Sequence, residues 1–222
     1  MATPRIGRRQ FLGGTAGAAV WALSPAAHAL AANGRILGAN DRIRLGIIGA
    51  GARGQELLEQ LRKLVNGANA NAELVAVADV YTRRFDEVRK DFPTVKTFTD
   101  HRRLLDMTEV DAVIVASPLH CHARHFLDAL AAGKDLYSEK TMTWSIAEAE
   151  ECRRAAKQSD RVVQIGLQHV STGAFIDAKQ WVNDGLVGKV THVQSWMSRN
   201  TPRGQGQWVR KVPADCTAAN VN

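Results

Sequence analysis

The sequence predicts an α/β fold on a doubly wound parallel sheet, and three observations predict it. Apolar runs of strand length alternate with segments of helical period across residues 42–167. The first run, 43–48, meets the glycine triplet Gly49-Ala50-Gly51-Ala52-Arg53-Gly54, and a helix-like segment follows. A second apolar run, 73–78, closes on an acid, Asp79.

Each element has a local reason. Residues 55–65 carry Leu57, Leu58, Leu61, Leu64 and Val65 at helical spacing. After the Asp79 strand, 81–92 reads as a helix stopped by Pro93, and 95–98 as a short strand. Asp100 caps a short helix through Leu105. Residues 110–116 form a near-continuous apolar run, the pattern of a strand buried on both faces. A helix over 122–132 closes at Gly133, and 135–138 is the next strand. Ser145 with Glu148 three residues on is a capping box for another helix, and 161–167 is a further strand. Right-handed crossovers then give a parallel sheet. Beyond Gln168 the pattern changes. A helix over 172–184 ends at Gly185, and 189–199 alternates as a longer strand, the expected first strand of an antiparallel sheet in a second domain. The expected domains are therefore 1–41, 42–167 and 168–222, the last a truncated one.

The glycine triplet in this context carries chemistry. Gly49 permits a tight turn, Gly51 lets the backbone approach a pyrophosphate, and Gly54 lets the helix pack close to the strand. The backbone of Ala50, Ala52 and Arg53 completes the turn, and the helix N-terminus offers N–H groups and a positive dipole end to phosphate. Asp79 can accept hydrogen bonds from a ribose 2′-hydroxyl, and its charge repels a 2′-phosphate. The reading is NAD in preference to NADP, although Arg83 and Arg84 lie nearby.

The N-terminal segment carries Arg5, Arg8 and Arg9, a weakly apolar run over 12–23, a small-x-small site at Ala27-His28-Ala29, and no acid before Asp41. This is a signal-peptide layout, and Arg8-Arg9 followed by Gln-Phe-Leu resembles a twin-arginine signal. The expectation is export by the twin-arginine machinery to the periplasm or another extracytoplasmic space, with no stable membrane anchor. The formal charge of +7 falls to +4 once the signal is removed, spread without a basic cluster, which argues against nucleic acid as a partner. Cys121, Cys152 and Cys216 are odd in number and widely spaced, so no disulfide framework is expected.

Ligands of a doubly wound sheet sit beyond the carboxyl ends of its strands. Two clusters fall there: Ser117-Pro118-Leu119-His120-Cys121-His122 and Glu139-Lys140-Thr141. Lys140 can polarise a hydroxyl or carbonyl, or transfer a proton. Glu139 can hydrogen-bond a ribose or hold Lys140 in place. Ser117, Pro118, His120 and His122 are expected to line the cofactor, with His120 a candidate for the reacting side. His120, His122 and His125 with Cys121 lack an acid or second cysteine to complete a metal set, so no metal is expected.

Together these segments, with Gln164-Ile165-Gly166-Leu167-Gln168, resemble the Gfo/Idh/MocA oxidoreductases, the glucose–fructose oxidoreductase and inositol dehydrogenase group. The resemblance covers roughly residues 42–199. It implies an NAD(P)-binding Rossmann domain, a C-terminal α/β domain with a largely antiparallel sheet, sugar or polyol substrates and a homo-oligomer when full length. The family's Glu-Lys-Pro motif maps onto Glu139, Lys140 and Thr141, with threonine in place of proline. Further Asp and His positions of the family would lie beyond Asn222. The expected function is an exported NAD(P)-dependent oxidoreductase acting on a sugar or polyol hydroxyl. The rivals are a redox-neutral, NAD-dependent glycoside hydrolase and a non-catalytic dinucleotide-binding protein.

Overall fold

The computed structural model describes residues 42–67, 71–196 and 212–221. The signal-like segment 1–41 lies outside the described residues. The chain divides into two units, Met1–Ile165 and Gly166–Asn222.

The first unit alternates strand and helix in order: β1 (Ile43–Ile48), α1 (Ala52–Gly67), β2 (Ala72–Ala78), α2 (Arg83–Arg89), β3 (Lys96–Phe98), α3 (His101–Leu105), β4 (Ala112–Val115), α4 (His122–Ala131), β5 (Asp135–Glu139), α5 (Ile146–Gln158) and β6 (Val163–Gly166). A 3₁₀ turn, Leu119–Cys121, leads into α4. The six strands form one sheet in the order β3-β2-β1-β4-β5-β6. β1 pairs in parallel with β2 and with β4, β2 with β3, and β4 with β5. The order reverses at β1, between β2 and β4. That is the switch point where loops diverge and leave a crevice above the strand ends.

Strand alternation sends neighbours to opposite faces and builds two cores. Ile47 and Val77 join Leu58, Leu61, Phe85 and Val88 under α1 and α2. Ile48, Ala76 and Ala78 join Leu104, Val113, Val115, Phe126, Leu136 and Cys152 under α3, α4 and α5. Each large side chain buried there stabilises the fold by about 1.5–3 kcal/mol. The caps form as their sequence implies. The Asp100 carboxylate accepts the Arg102 N–H, and Ser145 and Glu148 make a reciprocal capping box.

Two expectations are corrected. The helix expected over 81–92 is only Arg83–Arg89. Asp79 Oδ1 accepts the Tyr81 N–H at 2.8 Å, which fixes a turn and delays the helix start. Of the strand expected over 189–199, the described part, residues 189–196, is irregular, and 197–199 lie outside the described residues. Alternation marks two faces, but a strand also needs a partner for its N–H and C=O groups. None pairs with this segment among the described residues. The helix α6 (Gly173–Asn183) of the second unit does form, with Gly185 in the left-handed region at φ +73°.

Candidate nucleotide-binding site

The glycine turn joins β1 to α1 at the switch point. Gly49 adopts φ +92°, and a Cβ there would lie 2.6 Å from the Ser117 nitrogen. Only glycine fits the conformation and the close approach of the β4 loop. Gly54 is buried against the turn itself, where a Cβ would run into the Gly49 carbonyl oxygen. Gly51 differs: a Cβ there would meet nothing within 4 Å. The turn is therefore packed tightly at its first and third glycines and open at its second. An open cradle at the N-terminus of a 16-residue helix suits a pyrophosphate, because the first-turn N–H groups have no intrahelical acceptor.

Asp79 anchors this turn from the end of β2. Its Oδ2 accepts the Ala50 N–H at 2.7 Å, and its Oδ1 accepts the Tyr81 N–H at 2.8 Å. A carboxylate offers about four lone-pair sites, so two backbone donors leave room for ribose hydroxyls. Asp79, Gly49, Ser117, Pro118 and His120 line one cavity of about 300 Å³. Among the described residues, no arginine or lysine lines it. Arg84 and Arg83 instead meet Glu87, at 2.6 and 3.4 Å, and the Arg84 guanidinium lies 5.6 Å from the Tyr81 ring centroid.

A histidine pair also borders this cavity: His125, weighed in the sequence only as a metal ligand, and His101, which the sequence reading did not single out. His125 Nδ1 lies 2.9 Å from Ser117 Oγ, and its ring centroid is 4.3 Å from that of His101. His101 Nε2 lies 2.8 Å from Asp128 Oδ2. Burial, with His101 beside it, pushes His125 down to about 4, so it is neutral near pH 7 and adds no cation.

The second cluster ends β5. Glu139 is 3 % exposed, whereas Lys140 is exposed. Two nitrogens of Arg53 reach Glu139 Oε1 at 2.8 Å, and the Lys140 N–H donates to Oε2 at 3.2 Å. The Lys140–Thr141 peptide is cis, with threonine where the family motif has proline. His122 is buried, with Nδ1 2.8 Å from the Thr141 carbonyl oxygen and Nε2 2.8 Å from that of Ser117. It ties the β4 loop to the β5 loop and presents no free ring edge to a ligand. His120 is exposed and stands with Asp79 in the cavity, which neither Glu139 nor Lys140 lines. The structure thus brings Gly49, Asp79, Ser117, Pro118 and His120 to one cavity. It brings Arg53, Glu139 and Lys140 to a separate cluster.

Larger cavities lie elsewhere. One of about 500 Å³, lined by Arg44, Arg62, Asp91 and Glu109, meets the amino ends of β1 and β2. Another, of about 600 Å³, is lined by Met142, Ile146 and Ile165 along α5. Neither touches the glycine turn or Lys140. Among the described residues, no group of three or more histidines, cysteines or acids could hold a metal ion.

A parallel sheet with this switch point, this glycine turn and an acid anchoring it defines a nucleotide-binding Rossmann domain. The chain belongs to the oxidoreductase family with an NAD-binding Rossmann fold, Gfo/Idh/MocA, whose profile matches residues 43–167. It is 32 % identical over 152 residues to inositol 2-dehydrogenase of Acidothermus cellulolyticus, covering 68 % of this chain and 43 % of that protein. It is 25 % identical over 171 residues to the NADP(+)-dependent scyllo-inositol 2-dehydrogenase of Bacillus subtilis, covering 77 % of this chain and 46 % of that protein. The fold matches the Lactobacillus casei scyllo-inositol dehydrogenase crystallised with NAD(H) and scyllo-inositol. That match has a TM-score of 0.61 at 26 % identity and covers 68 % of this chain and 44 % of the other. The chain therefore spans less than half the length of these relatives.

Proposed function

We propose that the whole protein is an NAD-dependent dehydrogenase of a ring polyol of the inositol type. The observation that carries this is the shared sheet edge: the open glycine turn, the Asp79 anchor and the Glu139–Lys140 strand end all follow carboxyl ends of one parallel sheet. Inositol dehydrogenases among the relatives support the substrate class. The first-turn N–H groups of α1 would hold the pyrophosphate, and Asp79 would accept a ribose hydroxyl. NAD, when bound, supplies a hydride acceptor. Lys140 would orient the reacting hydroxyl and carry its proton away as the alcohol becomes a ketone. His120 belongs, on this reading, to the nucleotide side and not to the reacting carbon.

The test is to mix the whole protein with NAD and with each inositol isomer and follow NADH. Net NADH with a ketone product is expected. Cleavage of a glycoside without net NADH would instead favour the redox-neutral hydrolase, and binding without turnover would favour a non-catalytic protein. NAD should bind more tightly than NADP, because among the described residues the Asp79 cavity is lined by a carboxylate and a neutral His125 and by no arginine or lysine. Equal or tighter NADPH binding would sink the preference. Asp79→Ala should narrow it and also lower the melting temperature, since the turn loses two hydrogen-bonded anchors.

We also propose export through the twin-arginine route, on Arg8-Arg9 and the acid-free segment before Asp41. Residues 1–41 fused to a folded reporter should carry it out of the bacterial cytoplasm. Lysines at both positions should trap it, and unchanged export would refute the role of the pair.

A further inference from the structure

We infer that Arg53 is a positioning residue, tying the phosphate-facing glycine turn to the backbone of Lys140 through Glu139. The inference rests on the reading of Lys140 as the residue that handles the substrate hydroxyl.

Arg53 is the last residue before Gly54, in the first turn of α1. Its Nε and Nη2 both lie 2.8 Å from Glu139 Oε1, 86 residues away in sequence. The Tyr137 hydroxyl donates to the same oxygen at 3.3 Å. That oxygen is fully engaged, and the Lys140 N–H takes Oε2. A carboxylate with 3 % exposure needs its charge compensated, and Arg53 is its cation. The hydrogen bond to Glu139 is likewise the largest influence holding the Arg53 guanidinium in its charged form.

Helix packing alone does not call for this arrangement. The solvent-side partner Glu56, at 2.8 Å and i,i+3, would satisfy an arginine that merely decorated α1. Arg53 makes that contact through Nη1 and also reaches across the strand ends, through Nε and Nη2, to Glu139. Between the turn that faces phosphate and the backbone nitrogen of Lys140 stand one guanidinium and one carboxylate. A planar guanidinium places its donors in a fixed fork, so a displacement of the turn is passed to the β5 end. Glu139, so little exposed, acts in this scheme as the link itself and not as a ribose ligand.

The experiment compares the whole protein with Arg53→Met, with Arg53→Lys, and with the double variant Arg53→Met/Glu139→Gln. The double variant leaves no bare buried charge and so guards against misfolding. Acylation of the Lys140 amine is followed by peptide mass spectrometry, with and without saturating NAD. In the unaltered protein NAD should protect Lys140. Arg53→Met and the double variant should lose most of that protection. Their NAD dissociation constant should change by less than about threefold, because backbone N–H groups hold the pyrophosphate. Their kcat should fall by about 10- to 100-fold, the scale expected for misplacing a reacting group by about 1 Å. Arg53→Lys should recover part of both.

Unchanged protection and kcat in the double variant would overturn the inference. So would a loss of NAD affinity with kcat intact, which would make Arg53 a phosphate contact. Lys140→Met separates the two claims. Normal turnover in that variant would refute the Lys140 chemistry, while the labelling of Lys140 in the Arg53 variants still reports whether Arg53 holds it.

Discussion

Lys140→Met in the whole protein should lower turnover by about 100-fold or more, the lower range for losing a general acid or base. The substitution removes the ammonium and keeps most of the apolar stem. Lys140 is exposed at the end of β5, and its backbone N–H rests on Glu139 Oε2. The variant should therefore fold normally, since no buried group loses a side-chain partner. Its NAD affinity should change far less than its turnover, because on the proposed reading the turn at α1 holds the pyrophosphate. Steady-state kcat, calorimetric NAD binding and a melting curve separate the outcomes. Near-normal turnover would make Lys140 an ordinary solvated residue. Weaker NAD binding with no further defect in kcat would make it a cofactor contact.

The parts of this site that were legible in the sequence are those in which one short segment does the whole job. The turn needs three glycines at fixed spacing, and 49–54 supplies them. Ser145 with Glu148 announces a capping box and makes one. Buried parallel strands need continuous apolar runs, and those at 43–48 and 110–116 seeded β1 and β4. What stayed hidden depends on partners distant in the chain. The Arg53–Glu139 pair closes over 86 residues, and no spacing rule reaches that far. His122 sits in a segment that suggests a ligand site. The first turn of α4 instead carries its ring beneath two loops, where both nitrogens meet backbone carbonyls. His101 and His125 lie on different helices and meet only because α3 and α4 cover the same face of the sheet. Residues 189–196 show the opposite error, since a sound alternating pattern does not make a strand without a partner.

The second large effect separates the glycines of the turn by mechanism. Gly54→Ala puts a methyl against the Gly49 carbonyl oxygen, a backbone atom that cannot swing aside. The helix must move off β1, and overpacking of this kind costs about 1–3 kcal/mol, with the upper end expected against backbone. The melting temperature should fall, and NAD binding should fall with it because the cradle is distorted. Gly51→Ala should behave differently. Its methyl meets nothing within 4 Å, so the folded chain accommodates it. Stability should hold or rise by up to about 1 kcal/mol, since alanine narrows the unfolded ensemble. That same open space is where a pyrophosphate would approach the backbone. NAD affinity should therefore drop by about tenfold or more, equivalent to about 1.4 kcal/mol. Calorimetric titration beside thermal denaturation of both variants makes the comparison. If Gly51→Ala keeps full NAD affinity, the pyrophosphate does not pass over Gly51 and the cradle has been placed wrongly. If Gly54→Ala keeps its melting temperature, α1 can shift off β1 at little cost, and the third glycine is not needed for packing.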